Sequence, residues 1–166
     1  MAQALFITRD DIVKFTALNG NIDTDKFIQF IKIAQDIHIQ NYLGTRLFKR
    51  INDDIVSGDL EEPYTTLLST YIKPMVIHWS MVEYLPYAAY TIANKGVFKH
   101  SSEASTNVDK NEIDFLIEKE RDVAQSYTNR FIDYMCFNQS SFPEYNQNSN
   151  ADVYPDSSAN FTGWIL

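Results

Sequence analysis

Residues 24–44 read TDKFIQFIKIAQDIHIQNYLG, a helical pattern closed by a glycine. Its apolar members are Phe27, Ile28, Phe30, Ile31, Ile33, Ala34, Ile37, Ile39, Tyr42 and Leu43. They cover more than the stripe of about 100° expected of a helix with one buried face. A helix of this kind needs neighbours on two sides, so the chain is expected to be a packed helical protein. Just upstream, Asp23 can cap the helix while Ile22 packs back on Phe27 as a hydrophobic staple. Further upstream, Thr8 followed by Asp11 resembles a capping box with Asp in place of Glu, and Asn19-Gly20 is a stop signal. A short first helix near residues 8–18 follows from that pair.

Downstream, Gly44 breaks the pattern and Thr45 can cap a helix from Arg46 to about Val56, with Leu47, Phe48, Ile51 and Ile55 toward the core. Ser57-Gly58-Asp59 ends it. Glu61, Glu62 and Pro63 form a start signal, with acids near a positive helix end and proline in the first turn. The stripe Leu67/Leu68, Tyr71/Ile72, Met75, Trp79, Val82, Pro86, Tyr90 then keeps helical spacing for many turns. Pro74 and Pro86 each remove a backbone donor from that run, which predicts two kinks or a break. From Lys95 to Val108 the periodicity vanishes, and Gly96 to His100 is expected as a short strand or half of a hairpin. Asp109 and Glu112 open a last helix of about residues 109–137. The fold class is therefore all-α: a helical bundle with a long C-terminal helix, one long loop or short β-hairpin, and an extended C-terminal tail.

Residues 138–166 contain no Lys, Arg or His, hold three acids (Glu144, Asp152, Asp156), and are rich in Asn, Gln and Ser. Such a segment makes no core of its own. The expected division is a helical domain over 1–137 and a polar, aromatic arm over 138–166. Phe142, Tyr145, Tyr154, Phe161, Trp164, Ile165 and Leu166 are the arm's candidate partner-binding residues, because spaced aromatics bring apolar area at low entropic cost. Docking on another subunit is the expected use, with folding back over the chain's own domain, or disorder, as the alternatives. Val97, Phe98, Lys99 and His100 are the candidate contacts in the loop.

The 166 residues are 45% hydrophobic and carry a formal net charge of -8, from 14 Lys+Arg and 22 Asp+Glu. That balance suits one cored domain and disfavours a grip on phosphate backbones, since no basic patch stands out. The N-terminus does not read as a secretion signal, and Pro74 to Asn94, with His78, Glu83 and Pro86, reads as a core helix and not a membrane span. Cys136 lies between Met135 and Phe137, where a thiol is expected to behave as a small buried hydrophobe. Phosphate-binding glycine loops, a nucleophile elbow and a Cys/His hydrolase signature are missing. His38, His78 and His100 sit on different segments, without zinc-motif spacing to another ligand. Asp23-Thr24-Asp25 lacks the glycine and closing Glu of a calcium loop. The densest acidic cluster, Asp53, Asp54, Asp59, Glu61 and Glu62, reads as capping and solvation, with a metal-dependent hydrolase as the distant alternative. No cofactor or metal and no enzymatic activity are expected.

Three patterns in order resemble the helical head-to-tail connector, or adaptor, subunits of tailed phages, especially those of Bacteroidales phages including crAss-like ones. Ile33-Ala34-Gln35 and Ile37 run into Tyr42-Leu43-Gly44-x-x-Leu47; Asn94-Lys95-Gly96-Val97-Phe98 follows a long aromatic helix and precedes a Ser-rich loop; Ala124-x-x-Tyr127-x-x-Arg130-Phe131-x-x-Tyr134-Met135 closes the set. Together they cover about residues 24–137 and leave the tail unmatched. The resemblance implies a structural virion protein in a homo-oligomeric ring, dodecameric by expectation, joining the portal protein to tail or neck proteins. It implies a place in the virion neck, with the host cytoplasm as the site of assembly, and DNA passing through without specific binding. An acidic lumen would then repel the passing duplex. Another phage structural subunit, such as a tail-completion or capsid-associated protein, is the alternative.

Overall fold

The structure is a computed structural model that describes residues 3–18, 24–88, 90–93, 96–99, 110–147 and 152–158. It is all-α apart from one hairpin. Helix α1 (Arg9–Phe15) starts on the Thr8/Asp11 box: Thr8 Oγ1 accepts from the Asp11 amide and Asp11 Oδ2 accepts from the Thr8 amide. Burial pushes the Asp11 carboxyl up, but the Thr8 bonds and Lys73, 3.2 Å away, outweigh it and hold the group below its usual value. The expected cap Asp23 and staple Ile22 lie outside the described residues.

Helix α2 (Thr24–Ala34) passes through a wide π turn, Gln35–Ile39, into α3 (Gln40–Ser57). Phe27, Ile31, Ala34, Ile39 and Leu43 are buried, whereas Ile28 and Ile37 are exposed. The buried Gln35 clamps the segment before α1, its Oε1 accepting from the Phe6 amide and its Nε2 donating to Ala4 O. Asn52 Oδ1 accepts from the Ala4 amide, so the two side chains satisfy the backbone of a segment that pairs with no strand. Gly58 ends α3 in the left-handed region at φ 79°.

Helix α4 (Tyr64–Thr66), a π turn (Leu67–Ile72) and α5 (Lys73–Tyr84) form one helical run. The break expected at Pro74 does not occur there: Ile72 and Lys73 keep helical dihedrals, and the proline's missing donor falls where the π turn has already shifted the hydrogen-bond ladder. At Pro86 the run does end, in a 3-10 turn (Leu85–Tyr87). Tyr90, expected to continue the helical stripe, instead opens β1 (Tyr90–Ala93), which pairs antiparallel with β2 (Gly96–Lys99).

Helix α6 (Lys110–Phe137) spans roughly 42 Å at 1.5 Å per residue and packs chiefly along α5. Trp79 Nε1 donates to the buried Thr128 Oγ1 at 3.1 Å, fixing the register of the two helices. Cys136, expected to be buried, is exposed because the inward faces of this turn belong to Met135 and Ile132. A 3-10 turn (Gln139–Ser141) and α7 (Pro143–Asn146) then fold the chain back.

The fold-back corrects the expected extended arm. Phe142 is 0% exposed and Tyr145 is 6% exposed, both within the chain's own core. Phe142 meets Tyr64 edge to face at 5.5 Å and Tyr145 meets Phe131 at 6.2 Å. Tyr64 adds a hydrogen bond to Glu144 Oε2 at 2.6 Å. The polar composition of 138–166 was a sound argument that it makes no core alone, yet two of its aromatics complete the core of the helices before it.

Candidate functional site

Gly44 interrupts α3 with φ 73° and ψ 157°. In an unbroken helix the Thr45 N–H would donate to Asn41 O, four residues back. Here Thr45 N–H donates instead to Val153 O at 3.0 Å, and Asn41 O accepts from the Asp156 N–H at 2.9 Å. A strap of chain, residues 152–158, thus takes up both halves of the broken helical bond. Thr45 Oγ1, expected to cap its own helix, accepts from the Val153 amide at 2.9 Å and from Gln40 Nε2 at 3.1 Å. Between these bonds the buried Pro155 lies directly on Gly44. Burial pushes the nearby Tyr42 hydroxyl up in pKa, and the Asp156 charge adds to that.

Tyr154, in the middle of the strap, points outward and is 70% exposed. It is the one candidate arm aromatic that the described residues leave on the surface. Phe161, Trp164, Ile165 and Leu166 lie outside the described residues, as does His100. Val97, Phe98 and Lys99 lie on β2.

The first half of α6 holds a feature that periodicity alone did not mark. Its buried residues begin only at Ala124, while Phe115 (58% exposed), Leu116 (46%) and Val123 lie on its surface before that point. Leu116, Glu120, Val123 and Tyr127 share one face by helical spacing. Glu120 Oε2 reaches His78 Nδ1 at 2.8 Å, and Tyr127 stacks on the same imidazole. That face borders a groove of about 510 Å³ between α1, α5 and α6, walled by Lys14, Phe15, Lys73, His78 and Tyr127.

His38, His78 and part of the acidic cluster have structural partners. His38 Nε2 lies 2.8 Å from Glu83 Oε1 and stacks on Trp79, so each of α5's two histidine contacts is a histidine, a glutamate and an aromatic ring. Of the acidic cluster, Asp54 takes Arg50 at 2.7 Å and Glu62 accepts from the Thr66 amide. Among the described residues no group of three or more His, Cys, Asp or Glu is placed to hold a metal ion. None of the described helices is long and apolar enough to cross a membrane.

A model described as a family of unknown function (DUF6712) matches residues 39–155. The chain belongs to this family. The DUF6712 match opens at Ile39, just before the Gly44 break, and closes on Pro155, the residue packed against it. It crosses the expected boundary at 137/138, so the family's unit takes in the fold-back and the strap as far as Pro155. No curated protein and no solved structure matches the chain.

Proposed function

We propose that the chain is a structural subunit of the ring that joins the portal of a tailed-phage capsid to its tail or neck. The order and spacing of the three connector-like patterns within residues 24–137 support this reading. The observation that carries it is the first half of α6. Fourteen residues, Lys110 to Val123, contribute none of the chain's buried side chains yet hold Phe115, Leu116 and Val123 at the surface. Ile117 alone of this half packs partly against the core, and exposed apolar side chains beside it are costly in water unless a neighbour covers them, which a multi-copy ring supplies. The paired histidines, the Arg50–Asp54 ion pair and the Glu62 contact to a helix-start amide suit a load-carrying part.

The test is to mix the purified chain with the portal protein of the same phage and image the product by electron microscopy. A ring of this chain beneath the portal is the expected result. Failure to bind the portal, with binding to a tail-completion or capsid component instead, would move the chain to a different place in the virion. Binding to no virion component would overturn the reading.

A further inference from the structure

The hairpin forms a sheet of two strands among the described residues. Its backbone packs on itself, and no helix among the described residues runs along either strand. A lone two-stranded hairpin is at best marginally stable in water, and these strands are only four residues each. Alternate residues of an antiparallel pair direct their amides and carbonyls away from the partner strand, so each outer edge is a row of groups ready to pair. Exposed edges are usually blunted by charges or proline, but the eight strand residues hold a single charge, Lys99, and no proline. Tyr90, Thr91, Ile92, Val97 and Phe98 are all strong strand formers.

We infer that the hairpin is a seam between copies of this chain: β1 of one copy pairs along β2 of the next. This rests on the ring reading for its symmetry. When copies are related by rotation about a ring axis, their hairpins point the same way. The upward strand of one copy then meets the downward strand of its neighbour, which is the antiparallel arrangement the hairpin already uses. Each copy offers two different edges, as a closed head-to-tail ring requires. A two-fold dimer would instead join like edges, β1 to β1 or β2 to β2.

The test uses full-length chain with the exposed Cys136→Ser change, carrying either Thr91→Cys or Phe98→Cys, one of the two mass-tagged. Single-cysteine copies cannot close a disulfide within their own hairpin. The two versions are mixed, assembled on portal and oxidised. A second pair, Tyr90→Cys with Lys99→Cys, covers a register offset, and helical circular dichroism checks that the variants fold. Disulfide dimers that are predominantly mixed are expected. Like-with-like dimers alone, or no cross-link in particles that sediment with portal, would overturn the seam while leaving the ring reading intact. Mixed dimers in chain that never sediments with portal would keep the seam and remove the ring's attachment to portal.

Discussion

A methyl group placed on Gly44 would lie 2.6 Å from Cγ of Pro155 and 2.7 Å from its Cδ. The glycine is thus demanded twice, by its φ of 73° and by the ring packed upon it. Gly58, at φ 79°, has nothing within 4 Å of the same position and is demanded only once. Gly58→Ala should therefore cost only the left-handed backbone strain, roughly 1–2 kcal/mol. Gly44→Ala should cost more, because its φ 73° and ψ 157° lie in a region open essentially to glycine alone and the strap contact is lost as well. Chemical denaturation of the two variants reads the difference, and the excess should shrink in a Pro155→Gly background. Equal losses at both glycines would show that the strap contributes nothing.

Phe142→Ala should destabilise the protein by about 3–5 kcal/mol, the range for emptying a fully buried aromatic site. Removing residues 138–166 should do more, since it also takes away Tyr145 and leaves Thr45 N–H and Asn41 O without their strap partners. Loss of a cooperative thermal transition in the truncated chain is the expected observation. A truncated chain that melts as sharply as the full one would restore the picture of an independent arm.

On the acid side, the Asp11 carboxyl is held below its ordinary value in the fold, so it stabilises while ionised. That contribution is present above the unfolded value of about 3.9 and is lost as pH falls through the lower folded value. Asp11→Asn should flatten the acid limb of a stability-against-pH curve. Thr8→Ala should cost about 1 kcal/mol at neutral pH through the lost cap.

On the alkaline side, burial pushes the Tyr145 hydroxyl up to about 12, and burial with the Glu144 hydrogen bond does the same for Tyr64. Unfolded tyrosines ionise near pH 10, so stability should hold below about 10 and erode as pH rises toward about 12. The Tyr145 hydroxyl is buried without a hydrogen-bond partner among the described residues. Tyr145→Phe should accordingly be neutral or stabilising and should reduce the alkaline erosion, whereas Tyr64→Phe should cost on the order of 1 kcal/mol by breaking its bond to Glu144. Melting curves across the alkaline range separate the two.

The parts of the fold that were legible are those whose causes are local. Thr8 and Asp11 are three residues apart, and their box formed as expected. Gly44 and Gly58 both read as breakers and both take positive φ. The second strand, within Gly96–His100, and the long last helix were also readable, because loss of periodicity and its return are visible in a short window, whereas β1 was hidden by the helical spacing that Tyr90 keeps. At Pro74 the run stays helical, and the irregularity there takes the form of a π turn ending two residues before the proline, which no proline rule foretells. Phe142 and Tyr145 misled for a different reason: composition shows that a segment lacks a core, but not whose core its aromatics enter. The His38–Glu83 and His78–Glu120 contacts join residues 45 and 42 apart, and no spacing rule reaches that far. Pro155 carried no signal at all until the backbone of Gly44 was seen beneath it.

Thr45 and Val153, which bond across the break in α3, are separated by 108 residues. A ribosome adding about 5–20 residues per second needs roughly 5–20 s to make the stretch between them. For that interval the Thr45 amide and the Asn41 carbonyl lack their strap partners. A copy caught before the strap arrives would leave Gly44 uncovered and be more open to capture by quality control.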